Sequence, residues 1–242
     1  LFSLAMLGGD DARCPPESPR PLKGRGTIFL IVDTLRADVL GPYGAPEHRG
    51  KKASPNIDEF AAQATTFSRF SAQASWTKPA MATLMTSRHV SGHNTMSKLS
   101  TLPDSLPLLA TELQKAGVVT GAVVTNYNLE PGYGFARGFD HYKYLSPARY
   151  FGAPEKANRL ALYNIFRLIR ERYIPALRSS EYFYQSADVV NAEGLCILDE
   201  IGDKDFFLWL HYMEPHDPYF SVEGGSYARV QTPNPGMDDA EP

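Results

Sequence analysis

Four short stretches carry side chains that could do chemistry together. Asp33 closes an apolar run, Thr27-Ile28-Phe29-Leu30-Ile31-Val32. A carboxylate there can cap the segment that follows, Thr34-Leu35-Arg36, or serve as an oxygen ligand for calcium, magnesium or zinc. Thr77 lies in Ser75-Trp76-Thr77-Lys78-Pro79-Ala80, just before a helix-like run from Met81 to Thr86. Pro79 presets a first helical turn, so Thr77 falls near a helix N-terminus. Its hydroxyl either caps that helix or stands as a reactive group at the positive end of the dipole, where an anion is also favoured. Asn126 and Asn128 follow a second apolar run. His211 and His216 fall in His211-Tyr212-Met213-Glu214-Pro215-His216-Asp217-Pro218-Tyr219, after a third. Two imidazoles in such a loop can donate to anionic oxygen, bind a metal or protonate a leaving group; a lone histidine would be structural more often than not.

These groups need elements to position them. Thr27 to Val32, Val118 to Thr125 and Phe206 to Leu210 are near-continuous apolar, β-branched or aromatic runs, the pattern of strands buried on both faces of a parallel sheet. Ser54-Pro55-Asn56-Ile57-Asp58 opens a helix, with Ser54 as N-cap, Pro55 at the first position and an acid in the first turn. Leu106 to Ala116 reads as an amphipathic helix stopped by Gly117, and Ala187 to Ile201 as another stopped by Gly202. Helices alternating with apolar strands predict an α/β fold, a mostly parallel sheet between helices. In such folds the working groups gather at the C-terminal strand ends, where Asp33, Asn126, Asn128, His211 and His216 all fall.

Composition narrows the classes. The 242 residues carry 24 basic and 27 acidic groups, a net charge of −3. The charges are mixed along the chain, so no basic field exists to hold nucleic acid. Apolar residues are 43% of the chain, enough for a sizeable core and too many for disorder. No run of about eighteen apolar residues is present to cross a membrane. Two cysteines make no CxxC pair or structural zinc site. Cys196, in an apolar stretch, reads as a packed core thiol. Cys14 follows Asp10-Asp11-Ala12-Arg13, which is not the setting of a lipid anchor.

Residues 1–26 read as a remnant of a signal peptide or anchor and a linker, from the apolar Leu1 to Leu7 and the proline-rich stretch after it; a ragged gene boundary would look the same. The first reading implies an exported or cell-envelope protein. Residues 27–242 read as a fragment of a larger domain, because the chain stops in a Pro/Gly/acidic loop. A parallel sheet lacking its later strands would expose an apolar edge, and poor solubility of the isolated piece is expected. Asn158 to Arg172 alternates apolar residues and arginines at helical spacing; it suits a surface helix over the sheet, or a lid meeting a membrane surface or an anionic substrate.

Taken in order, these stretches resemble the sulfatase family of the alkaline phosphatase superfamily. Ile31-Val32-Asp33-Thr34-Leu35-Arg36-Ala37-Asp38, Gly41-Pro42-Tyr43-Gly44 and Ser54-Pro55-Asn56-Ile57-Asp58 resemble its opening. Thr77-Lys78-Pro79-Ala80-Met81, with Leu84 and Thr86, resembles the signature C/S-x-P-S-R-x-x-L-x-T-G. Gly134 to Asp140 resembles GF-x-x-GFD, and His211 to Tyr219 resembles H-x-x-x-PH-x-PY.

The resemblance implies an alkaline-phosphatase-type fold, with residues 27–242 as the N-terminal portion of a sulfatase-like catalytic domain, and a metal-dependent hydrolase or transferase of anionic esters. It makes Asp33 a metal ligand, Thr77 the nucleophile and a second metal contact, and His216 a catalytic contact to the ester's anionic group. His211, Asn126 and Asn128 fall where substrate-binding groups are expected, the asparagines standing where many members have Lys and His. Thr77 cannot be oxidised to the formylglycine of sulfatases, Met81 replaces the supporting Arg, Ser87 the Gly after Thr86, and Thr34 a frequent second acid. Related members with a Thr nucleophile act on phosphate esters, phosphodiesters and phosphonates, so the departures favour phosphorus over sulfur. One or two divalent cations are implied, calcium in the sulfatase manner or manganese or zinc in the phosphoesterase manner. The partner is a small or polymeric anionic ester, and no nucleic acid. The other class of function is a catalytically inactive sulfatase-like module that binds an anionic glycan or lipid head group.

Overall fold

The computed structural model describes residues 23–47, 50–147, 165 and 184–216. Four strands form one sheet in the order β1-β4-β2-β3. They are β1 (Gly26–Val32), β2 (Val119–Val124), β3 (His141–Tyr144) and β4 (Phe206–Tyr212). Every pairing is parallel, with Ile31 opposite His211, Gly121 opposite Leu208 and Val123 opposite Leu210. The helices are α1 (Pro55–Ala61), α2 (Thr77–Thr86), α3 (Val90–His93), α4 (Leu109–Lys115) and α5 (Ala187–Ile201). The expected α/β fold with a parallel sheet between helices is the fold observed.

Strand alternation divides the apolar side chains between two cores. Ala122, Val124, Phe207 and Trp209 join Met81, Ala82 and Met85 of α2 in one. Val123, Phe206, Leu208 and Leu210 meet Val190, Ile197 and Ile201 of α5 in the other. On the α5 face two glycines permit close approach. A Cβ on Gly121 would stand 2.6 Å from Ile197 Cγ2, and one on Gly194 would stand 2.9 Å from Leu210 Cδ2. Cys196 is buried in α5, as a core thiol should be.

Several local expectations need correction. β1 is not covered on both faces among the described residues. Its Phe29 and Ile31 pack on the α2-side core, whereas Ile28 and Leu30 are 50% and 58% exposed. The reason is lateral: α5 lies over β2 and β4, and β1 is the next strand out. Ser54 occupies the N-cap position of α1 without capping it. Its hydroxyl instead accepts from the Gly41 N–H at 3.0 Å and donates to Asp58 Oδ1 at 2.8 Å. The fourth helix begins at Leu109 rather than Leu106, since Pro103 and Pro107 hold the preceding chain out of helical geometry. The short strand β3 and the single-turn α3 have no counterpart in the sequence pattern. The amphipathic stretch Asn158 to Arg172 and residues 1–22 lie outside the described residues, Ile165 excepted. Among the described residues no helix is long and apolar enough to cross a membrane.

Candidate active site

The rule that splits the cores also assembles the site. In β4, His211 shares the α2 side with Phe207 and Trp209. In β1, Asp33 follows Phe29 and Ile31 at the same parity, and its N–H continues the pairing by donating to the Tyr212 carbonyl at 2.9 Å. In β2, Asn126 follows Ala122 and Val124. Three polar residues therefore leave three adjacent strand ends toward one face, and the N-terminus of α2 brings Thr77 to meet them.

Thr77 is the first residue of α2, with Trp76 at the N-cap position, so its hydroxyl does not cap the helix. It donates to Asp33 Oδ2 at 2.8 Å. The Asn126 Nδ2 amide lies 3.1 Å from the same carboxylate oxygen and 3.2 Å from Thr77 Oγ1. Asp33 is thus not the cap of the segment after it; its carboxylate is the acceptor on which the cluster converges. Thr77 and Asn126 are both buried, with 7% and 4% exposure. Asn126 is held in turn by Asn128, whose backbone and side-chain N–H groups donate to Asn126 Oδ1 at 2.9 and 3.0 Å. Met213 Sδ sits 3.5 Å from Asn126 Nδ2. Asn128 therefore supports Asn126.

His211 is wholly buried, with Nε2 3.5 Å from Asp33 Oδ2. Among the described residues neither of its ring nitrogens has a hydrogen-bond partner. Burial pushes its pKa well below the usual histidine range, against the pull of Asp33, so the ring is neutral at pH 7. His216 closes the turn after β4, its N–H donating to the Met213 carbonyl at 2.8 Å. That turn is anchored twice. Thr34 donates from Oγ1 to the Pro215 carbonyl at 3.0 Å. Glu214 accepts from the Ala187 N–H at the start of α5. Thr34 itself has φ +57, a left-handed conformation that is rare for a β-branched residue and marks strain at the strand end beside Asp33.

The donors present fit a divalent cation in their chemistry. A carboxylate and a hydroxyl in direct contact, with a neutral imidazole whose buried nitrogens are unpartnered, suit such an ion. They are the beginning of its shell only: among the described residues no group of three His, Cys, Asp or Glu side chains could hold a metal.

A family comparison places residues 25–237 within the sulfatase model. The chain belongs to the sulfatase family. Within the family signature, Met81 is packed at 8% exposure in the α2-side core. Ser87, where the signature has Gly, takes φ +53 as the C-cap of α2, which explains a glycine at that point.

Solved structures agree on the fold. The phosphonate monoester hydrolase of Agrobacterium radiobacter is 19% identical, with 81% of this chain and 42% of that one covered at a TM-score of 0.55. The protein BT4656, solved with its substrate D-glucosamine-2-N,6-O-disulfate, is 17% identical, with 83% and 36% covered at 0.59. A protein of the alkaline phosphatase superfamily from Vibrio parahaemolyticus is 19% identical, with 90% and 46% covered at 0.53. The chain spans less than half the length of each. No curated protein matches it.

Two residues of the site carried no warning in the sequence. Met213 takes its place through the loop after β4. Lys78 is fully buried beside Thr77, although a lysine between Thr and Pro reads as solvent-facing.

Proposed function

We propose that the protein is a sulfatase-family hydrolase or transferase of anionic esters, acting at phosphorus through Thr77 with a divalent cation. The observation that carries the reading is the 2.8 Å hydrogen bond from Thr77 Oγ1 to Asp33 Oδ2 at the N-terminus of α2. A threonine hydroxyl needs activation to attack an ester, and an adjacent carboxylate and cation both provide it. The bound cation, held by Asp33 and Thr77 with further ligands, would lower the hydroxyl's pKa and neutralise the ester's charge. Calcium, manganese and zinc are all candidates.

Thr77 Oγ1 attacks phosphorus as its proton passes to Asp33. The new Oγ–P bond forms as the bond from phosphorus to the leaving oxygen breaks. His216 gives that oxygen its proton. Water, or an acceptor alcohol in a transferase, then attacks phosphorus and gives its proton to His216, while the Oγ–P bond breaks and Asp33 returns its proton to Thr77 Oγ1. Asn126 Nδ2 keeps Thr77 and Asp33 in register, and the first N–H groups of α2 favour the substrate's anionic oxygens. His211, buried and neutral, lines the base of the site rather than reaching solvent. No formylglycine takes part. The neighbours whose names mention a phosphonate ester and a sulfated sugar fit an anionic ester in general terms. Export belongs to this reading through the apolar stretch Leu1 to Leu7.

The test uses the full-length protein and aryl sulfate, aryl phosphate monoester and aryl phosphodiester, each with added calcium, manganese or zinc. Metal-dependent phosphoester turnover that vanishes in Thr77→Ala is the expected result. Sulfate turnover that survives Thr77→Ala contradicts it. Binding of a sulfated glycan or lipid head group with no turnover of any ester would favour the inactive module instead.

A further inference from the structure

Lys78 has zero exposure, and its ammonium group is spoken for on every side. Nζ donates to the Lys98 carbonyl at 2.5 Å and the Ser100 carbonyl at 3.2 Å. It also lies 3.1 Å from the centroid of the Tyr133 ring. An ammonium has three donors, and two carbonyls and one ring face account for them. Desolvating a cation is costly unless it is matched in this way. Burial still pushes its pKa down to about 8, with the charge of Glu130 opposing.

Those partners belong to segments that lead to the site. Tyr133 ends a pair of 3-10 turns, Tyr127–Leu129 and Pro131–Tyr133, that start from Asn126. The Tyr133 carbonyl accepts from the Leu102 N–H at 2.9 Å, which ties the 97–102 stretch to the same turns. Lys78 is the residue after Thr77 on α2. One ammonium group therefore clamps the start of α2, the 97–102 stretch and the turns carrying Asn126 and Asn128.

We propose that Lys78 is a positioning residue, which sets the spacing of Thr77 and Asn126 through the Lys98 and Ser100 carbonyls and the Tyr133 ring. It does not touch substrate; its three donors are used inside the protein. The role rests on the reading of Thr77 as nucleophile, and the test separates the two. An Nζ with these partners does more than fill space: an isosteric apolar side chain keeps the volume yet leaves two carbonyls without their donor.

The experiment compares Lys78→Met and Lys78→Arg with wild type in the full-length protein, by peptide-level amide hydrogen exchange and by aryl phosphoester kinetics. In Lys78→Met, peptides covering 97–103 and 125–133 are expected to exchange about tenfold faster while the β4 peptide 206–212 is unchanged. The kcat is expected to fall about ten- to a hundredfold with KM nearly constant. Lys78→Arg, which keeps a charged donor, should recover part of both. Unchanged exchange in the two site peptides, or faster exchange everywhere alike, overturns the proposal. So does a full loss of activity in Lys78→Arg with wild-type exchange. If Thr77→Ala turns over ester as well as wild type, the nucleophile reading fails, and the exchange data still decide whether Lys78 is the clamp.

Discussion

The two faces of the sheet are built by the same strands and do different work. On the α5 face, Val123, Leu208 and Leu210 meet Val190, Ile197 and Ile201, and glycines let helix and sheet approach closely. On the α2 face the packing is as apolar around Trp209, Met81 and Met85, but it ends in Asp33, Thr77, Asn126 and His211. Alternation alone sends residues to one face or the other. What distinguishes the faces is the helix end: α2 begins at the strand termini and points its N-terminus at them. One face therefore holds the sheet together and the other turns the strand ends into a site.

If the faces are separable, variants should affect activity or stability according to the face they touch. The largest effect is expected from Thr77→Ala, which should lower phosphoester kcat at least about a thousandfold while leaving the melting temperature near wild type. Parallel activity assays and thermal melts check both halves. Asn126→Ala removes the amide that holds Thr77 and Asp33 together, and should cost about a hundredfold in kcat. Steady-state kinetics at saturating cation would show this. A loss confined to KM would place Asn126 in substrate binding instead.

Gly121→Ala strikes the opposite face. Its Cβ would crowd Ile197 and Leu208, so stability should fall by about 1–3 kcal/mol in denaturant titration, with kcat per folded molecule unchanged. A specific loss of kcat would show that the faces are coupled. Ser87→Gly relieves a left-handed conformation at the end of α2 and should add about 0.5–1 kcal/mol by the same titration.

The smallest effect concerns Asp140, which pins β2 from the segment before β3. Burial works against ionisation, but the Thr120 N–H, the Gln114 amide and the Thr120 hydroxyl outweigh it, and the carboxyl lies below its usual range. A depressed carboxyl pKa stabilises the fold above the ordinary Asp range, and this is lost as pH falls through the folded value. Asp140→Asn should therefore flatten the decline in melting temperature on acidification below about pH 4, with little change at pH 7 beyond the loss of the charged acceptor.

How much of this was legible depended on how local the cause was. The span of α5, Ala187–Ile201, agrees with the sequence because apolar spacing begins after Ser186 and ends at Gly202. The runs forming β2 and β4 announced themselves through β-branched and aromatic residues. β3 did not, since His141-Tyr142-Lys143-Tyr144 is short and half polar; Lys143 is used in a 2.6 Å ion pair with Glu193 of α5. The run of β1 predicts cover on both faces, yet Ile28 and Leu30 are exposed, because an apolar run states what a strand prefers, not which helix reaches it. Within the site, Asp33 and Asn126 are legible from strand-end position, Thr77 from its place near a helix N-terminus, and all three from family resemblance; the structure brings them into mutual contact. Asn128 proved to be a support for Asn126, and His211 a buried neighbour of Asp33. Lys78 was invisible because its role depends on carbonyls and a ring that are twenty to fifty-five positions away. Only the fold makes them converge.

The central claim is that Thr77 is the attacking group. The most direct measurement quenches the full-length protein with acid during turnover of an aryl phosphoester in the presence of its activating cation, and maps the digested peptides by mass. The account predicts a phosphoryl group on Thr77, absent in Thr77→Ala and absent when the cation is chelated. Rapid turnover with Thr77 unmodified at every quench time, and undiminished in Thr77→Ala, would contradict it.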